Sequence, residues 1–445
     1  MRKLVEKNNI IQTIFDYADS KLEHREFVPG KTQIPASFPK LSAMDVAVMG
    51  EVLLSLWYTE HKQCTKFSMA MIGLLAKRHA VLTNSGSSAS LVATTACVEH
   101  FGKKRSKSNL VITCATGFPT TVAPIYQNGL VPYYIDIDPL TLSPDLEHLE
   151  DVIKRYKDEI AGVSLAHTLG FPYDESKVRD IIGDDIWFLA DCCDAFGAEV
   201  SRDGDFPHVS WVGEWADVQT HSFFPAHIIT TVEGGAVLTD SEALDGIMRS
   251  LVNWGRDCYC LPGQSNTCGH RFDQEDKGEL PDGWDHKYIF ARLGYNLKMT
   301  EFQAALGYSQ LLRIRDFKEA RQNNFQKLKR GLAQYERFFI LTEVPEWSKP
   351  VPFGFPILMR RSCPFSLKEL VDYLEEHKIS TRRVFGGNLT RQPGFMNLPY
   401  KRTDLSGCDI VMNQMFWIGC HPMITDEMIA YILETFEEFM KQWEQ

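Results

Sequence analysis

A chain of 445 residues, 44% hydrophobic and 24% charged, has enough apolar material for a sizeable core and a length that ordinarily divides into two or three domains. Its formal charge of -11 argues against general binding to nucleic acid or an anionic membrane surface, while leaving room for a local basic pocket. Eleven cysteines without a secretory leader point to free thiols or metal ligands rather than a disulfide framework, and no run of about 18 apolar residues offers a membrane span.

The opening MRKLVEKNNIIQTIFDYADS mixes charge with helical periodicity and lacks the apolar core and small-residue cleavage site of a signal peptide, so a cytoplasmic protein is expected. Further on, the turn Thr83-Asn84-Ser85-Gly86-Ser87-Ser88 runs into ASLVATTACVEHF. Free amides and hydroxyls at a helix N-terminus make a phosphate cradle; the plainer reading is a Ser/Asn cap. From Asn109 to Asp240, the runs LVITCAT, LVPYYIDID, AGVSLAHT, IWFLADCCDA, VQTHSFF and GAVLTD alternate with polar stretches of helical length. That alternation predicts βαβ units and a mostly parallel sheet, with functional groups at the carboxyl ends of its strands.

Asp191 ends one of these runs, where a carboxylate can keep a heterocyclic nitrogen protonated or serve only as a cap. His221-Ser222-Phe223-Phe224-Pro225-Ala226-His227, followed by Glu233-Gly234-Gly235-Ala236-Val237, is more informative as a unit. The stretch from about 256 to 284 is rich in Gly, Pro, Asp and Asn with weak periodicity, an ordered loop that needs some fixing element. It carries Cys258, Cys260 and, seven residues on, Cys268, with Cys193 and Cys192 next to Asp191. Four thiolates hold either a [2Fe-2S] cluster or a structural zinc. The other cysteines, Cys64, Cys97, Cys114, Cys363, Cys408 and Cys420, are scattered and read mostly as packing residues.

Beyond Ala305 the pattern changes to the charged helix RIRDFKEARQNNFQKLKRGLAQYERF and ends in an amphipathic helix near Asp426 to Gln445. A large domain over 1–305 and a smaller C-terminal domain over 306–445 are therefore expected. In the latter, Arg382, Arg383 and Arg391 offer a seat for a nucleotide diphosphate or form a solvated basic face, and Phe416-Trp417-Ile418-Gly419 reads as core.

Taken in order, these motifs resemble the sugar-nucleotide aminotransferases of the fold-type I pyridoxal-phosphate superfamily. The resemblance covers nearly the whole chain: the Ser-Gly-Ser-Ser turn, Gly117-Phe118-Pro119-Thr120, His167-Thr168-Leu169-Gly170, Asp191, and Gly294-Tyr295-Asn296-Leu297-Lys298-Met299. It implies an α/β fold, with helices flanking a mostly parallel sheet in the large domain and a smaller α+β domain after it. In the family's Ser-Phe-x-x-x-Lys segment the lysine position is His227, a replacement that marks its sugar 3-dehydrases. Imidazole cannot form a Schiff base, so the resemblance implies pyridoxamine 5'-phosphate held non-covalently, condensing through its amine with a substrate keto group. His227 is then a base, with an ordinary pKa of about 6.5 suited to moving a proton near neutrality.

By matching positions, Gly86, Ser87 and Ser222 are implied to bind the cofactor phosphate, Phe118 to cover the pyridine face and Asp191 to pair with its ring nitrogen. Asn296 matches an asparagine that reaches the phosphate in the neighbouring subunit, which implies a homodimer. Asp194 stands where aminotransferase relatives carry glutamine, and an acid there fits elimination. The thiol pattern is similar to that of the CDP-4-keto-6-deoxyglucose 3-dehydrases, whose register favours a [2Fe-2S] cluster on Cys193, Cys258, Cys260 and Cys268. Phe224 departs from the tyrosine that cluster-containing dehydrases often have.

The implied reaction is C-3 deoxygenation of a nucleotide-linked 4-keto-6-deoxyhexose in 3,6-dideoxyhexose synthesis. Nothing in the chain resembles a nicotinamide or flavin site, so a separate NAD(P)H-dependent flavin and iron-sulfur reductase is expected as partner. The rival readings are a sugar aminotransferase, a cluster-free dehydratase and a non-catalytic zinc protein. The first needs a lysine and the second has no use for the loop thiols.

Overall fold

The computed structural model describes residues 2–22, 26–102, 108–201, 210–275 and 277–443. Residue 276 of the expected thiol loop and residues 444–445 of the expected terminal helix lie outside that set.

The runs between Asn109 and Asp240 form strands β2 (Leu110–Cys114), β3 (Val131–Ile135), β4 (Ile160–Ala166), β5 (Trp187–Asp191), β8 (Val218–Ser222) and β9 (Gly235–Thr239). They are joined by β1 (His79–Thr83) and β14 (Lys401–Arg402) in an eight-stranded sheet of order β1-β9-β8-β5-β4-β2-β3-β14. Every pairing is parallel except the two made by β9. Strands β2, β5, β8 and β9 are buried throughout, as expected of a sheet covered on both faces. The helix Gly86–Gly102 packs on β1, β4, β5, β8 and β9, and its buried Ala89, Ala93 and Ala96 let it lie close to them.

A second sheet, β10 (Phe339–Leu341), β12 (Phe355–Met359), β13 (Thr381–Arg383) and β15 (Met415–Ile418), is antiparallel in the order β10-β12-β15-β13. A third, of order β11-β6-β7, joins β6 (Glu199–Val200), β7 (Ser210–Trp211) and β11 (Ser348–Lys349). The charged stretch forms the helix Ile314–Leu332, and the terminal amphipathic pattern forms Asp426–Met440. The helix Glu301–Leu311 runs across the point where composition changes, and β14 carries the later part of the chain back to the large sheet beside β3. One apolar cluster includes Trp187 and Leu189 of the large sheet together with Phe355, Phe416 and Trp417 of the small one. Among the described residues no helix is long and apolar enough to cross a membrane.

Candidate active site

Strands β1, β5 and β8 end at Thr83, Asp191 and Ser222, and the antiparallel β9 begins beside Ser222 at Gly235. Between β1 and its helix, the Ser88 N–H donates to Ser85 Oγ at 3.1 Å, so the cap read from sequence is present. The turn is also shaped as a cradle. A Cβ added to Gly86 would lie 2.4 Å from the Ser222 Cβ, and one added to Gly235 would lie 2.4 Å from the Ser85 carbonyl oxygen. Only glycine permits so close an approach, which brings the first amides of a 17-residue helix together with the Ser87 and Ser222 hydroxyls. That combination suits a phosphate dianion.

These groups open into a cavity of about 580 Å³, which is also lined by Phe118, Asp191, Cys193, Asp194 and His227. The Asp191 carboxylate accepts from the Thr121 hydroxyl at 2.6 Å and from the Cys193 amide at 3.1 Å, so its oxygens are held at the end of β5. Phe118 is 53% exposed and meets Phe385 edge-on at 6.0 Å, a free aromatic face over the cavity. On the far side, Arg382, Arg383 and Trp417 come from the small sheet. Arg391 is absent from this lining and forms an ion pair with Asp409.

The His227 side chain is 13% exposed, packs on Phe353 at 5.2 Å, and lies with Nδ1 3.7 Å from Asp194 Oδ1. This nitrogen has no hydrogen-bond partner. Burial, and then the positive charge of Arg321, push the His227 pKa down to about 3, well below the near-neutral value that residue type alone suggests. Asp194 moves the opposite way. Burial first, then the charge of Asp191, raise it to about 8, while its Oδ2 accepts from the Leu169 amide at 3.1 Å. At neutral pH the pair is therefore a neutral base beside a protonated acid.

Residues 39–437 match the DegT/DnrJ/EryC1/StrS aminotransferase family. The chain belongs to this family. RfbH, a lipopolysaccharide biosynthesis protein of Salmonella typhimurium (strain LT2), is 42% identical over 437 residues, covering 97% of this chain and 98% of that protein. The dTDP-4-dehydro-2,6-dideoxy-D-glucose 3-dehydratase of Saccharopolyspora spinosa is 38% identical over 438 residues, 98% of this chain and 92% of that one. The solved E. coli GDP-4-keto-6-deoxy-D-mannose-3-dehydratase with bound hydrated PLP shares the fold. Its TM-score is 0.78 at 22% identity, over 90% of this chain and 98% of that one.

This DegT/DnrJ/EryC1/StrS protein is thus an enzyme of the group that holds sugar-nucleotide 3-dehydratases and aminotransferases. The glycine-tight cradle and the carboxylate at the end of β5 suit a phosphate-bearing heterocycle such as the PLP of that solved neighbour. No lysine is among the described residues that line the cavity.

Other predicted residues lie elsewhere. Asn296 accepts from Lys298 Nζ at 2.7 Å beside Asn253 and does not line the cavity of its own chain. Cys258 and Cys260 line a separate cavity of about 820 Å³, and Cys268 Sγ lies 3.7 Å from His286 Nδ1. Cys193 shares neither cavity nor hydrogen bond with them. The one group of three metal-competent side chains gathered among the described residues is His167, Glu175 and Cys192, all buried. It reads as core, because Glu175 Oε1 is 2.7 Å from His167 Nε2 and also accepts from the Gly213 amide. One copy of the chain thus brings the cofactor residues together but does not assemble the four cluster thiols.

Arg321 escaped the sequence reading, since it sits within a charged helix and nothing nearby marks it. It is fully buried, with Nη1 donating to the Pro352 and Phe353 carbonyls and Nη2 to those of Ala226 and His227. It therefore pins the His227 turn to the segment whose Phe353 packs on the imidazole.

Proposed function

We propose that the enzyme removes the 3-hydroxyl of a nucleotide-diphosphate-linked 4-keto-6-deoxyhexose, a CDP-linked sugar in the first instance, in the cytoplasmic synthesis of a 3,6-dideoxyhexose. The carrying observation is His227 itself. It stands at the cofactor cradle in place of a Schiff-base lysine, with an unpartnered, neutral Nδ1. Bound there, pyridoxamine phosphate supplies the amine for the keto group and an aromatic ring that accepts electrons.

His227 would take the proton through its imidazole, and the Arg321 contacts to the Ala226 and His227 carbonyls hold its turn in place. Asp194, protonated at neutral pH, is placed to give a proton to the departing hydroxyl. Asp191 would hold the cofactor's ring nitrogen protonated, Gly86, Ser87 and Ser222 would hold its phosphate, and Phe118 would cover its face. Arg382 and Arg383 line the side of the cavity suited to the diphosphate. Asn296 is assigned to the phosphate of a partner copy in a homodimer.

Replacing the 3-hydroxyl by hydrogen consumes two electrons and two protons and releases water, and an iron-sulfur centre passes electrons one at a time. We assign these to a [2Fe-2S] centre on Cys193, Cys258, Cys260 and Cys268, supplied by a separate NAD(P)H-dependent flavin and iron-sulfur reductase. His227→Asn is the test: turnover should fall by about 10²–10⁴-fold, together with solvent exchange at the cofactor's amino-bearing carbon, while cofactor binding persists. Retained exchange would remove His227 from the role of base.

A further inference from the structure

We infer that the thiol-bound metal centre is built across two copies of the chain, with Cys258, Cys260 and Cys268 of one copy meeting Cys193 of the other. The inference rests on the iron-sulfur part of the proposed function and concerns where its ligands come from.

The loop supplies three thiols, Cys258, Cys260 and Cys268, one short of a cluster's four. Cys260 Sγ accepts from the Thr267 amide at 3.4 Å and Cys268 Sγ from the His270 amide at 3.4 Å, the kind of donor that favours a thiolate. A cluster held by four side chains needs one more. Of the cysteines outside the loop, all but Cys193 and Cys363 are buried, and Cys363 donates to the Phe338 carbonyl in the small sheet. Cys193 lines the open cavity and is the remaining candidate.

Within one copy Cys193 lines one cavity, and Cys258 and Cys260 line another. Cys193 follows β5, whereas the loop leaves the helix Glu242–Val252 and runs back along the outside of β1, where the Asn84 amide donates to the Leu297 carbonyl. With β8 and β9 between, β5 and β1 are three strand spacings apart, about 14 Å.

Two exposed apolar surfaces indicate how the gap closes. The loop presents Tyr259, Phe272, Phe290 and a 97% exposed Leu293, while Phe118, Phe224 and Val232 stand exposed on the cofactor side. Large exposed apolar side chains on both regions suit burial against a second copy. In a two-fold dimer any contact between patch and patch occurs twice, so one loop on its partner's cavity mouth buries both surfaces and completes two identical centres.

The test uses full-length chains with two different tags, co-expressed, purified through both tags and reconstituted anaerobically with ferrous iron and sulfide. One chain carries Cys193→Ser and the other Cys260→Ser, or all three loop serines if the single change leaves residual iron. Iron, sulfide and the EPR signal of the reduced protein are the readouts.

Each homodimeric variant should lose the cluster, and the mixed dimer should regain half of the wild-type iron, because one of its two sites draws only intact ligands. A mixed dimer without cluster would overturn the inference in favour of a centre within one chain. A Cys193→Ser homodimer with full iron would overturn it in favour of a centre completed by His286, which lies against Cys268 and is held by Asp257 at 2.7 Å. Wild-type protein that takes up no iron and sulfide would instead sink the iron-sulfur reading itself.

Discussion

The cofactor cavity and the thiol loop differ in how they are held. Around His227 the anchors are Asp191 at the end of β5, Asp194 in the turn after it and Arg321 in the body of a helix, each tied by hydrogen bonds before any ligand arrives. Among its described residues, the loop from 254 to 295 has the short helical turn His286–Tyr288 and an isolated bridge between Arg256 and Phe290, and pairs such as Arg271 with Asp285 fasten it. The first region is preorganised by the fold. The second is held mainly by surface pairs and backbone turns.

Arg321→Met should break the contrast most severely. It strands carbonyls of Ala226, His227, Pro352 and Phe353, and each buried acceptor without a donor costs about 1–3 kcal/mol. Denaturant unfolding should show the loss, and the His227 pKa should rise with the positive charge gone. An equal loss from Arg271→Met in the loop would erase the distinction.

Gly86→Ala comes next, with a Cβ 2.4 Å from that of Ser222. Overpacking of this kind costs about 1–3 kcal/mol, which corresponds to a roughly five- to 150-fold weaker grip on the cofactor by fluorescence titration. Unchanged affinity would show that the cradle yields.

The His227 and Asp194 shifts oppose each other in pH. Folded Asp194 keeps its proton to about pH 8 while the unfolded chain gives it up near 4, so its contribution to stability declines as pH rises across that window. Folded His227 stays neutral down to about pH 3 while the unfolded chain takes a proton near 6.5, so its contribution declines as pH falls. In cofactor-free protein Asp194→Asn should therefore flatten the decline between about pH 6.5 and 8, where His227 is neutral in both states. A wild-type profile with no slope there would place the proton elsewhere.

The smallest effect is expected in the loop. Lys298 Nζ lies 3.5 Å from the Trp254 ring centre, and Lys298→Met should cost about 0.5–1 kcal/mol. Faster hydrogen exchange over 254–296 with an unchanged cavity would sharpen the comparison.

Much of this was legible in the chain. Six of the eight strands in the large sheet follow from apolar runs of the right length, and Asp191, Ser222 and His227 fall at or just beyond strand ends, where such sheets gather their functional groups. β1 was missed because HAVLT is a short run with little to mark it, and β14 because its two exposed residues join the sheet only through pairing with β3. The thiols were grouped by type and spacing, and spacing carries no distance across a sheet.

Sequence by itself determined the fold class and the chemistry at the lysine position, since both depend on residue type and local order. Only the tertiary structure decided that His227 is neutral and Asp194 protonated near neutrality, because burial and the neighbouring charges of Arg321 and Asp191 set those values. It also decided that Cys193 and the loop thiols sit on opposite sides of two intervening strands, because strand order in a parallel sheet is a property of the packed whole.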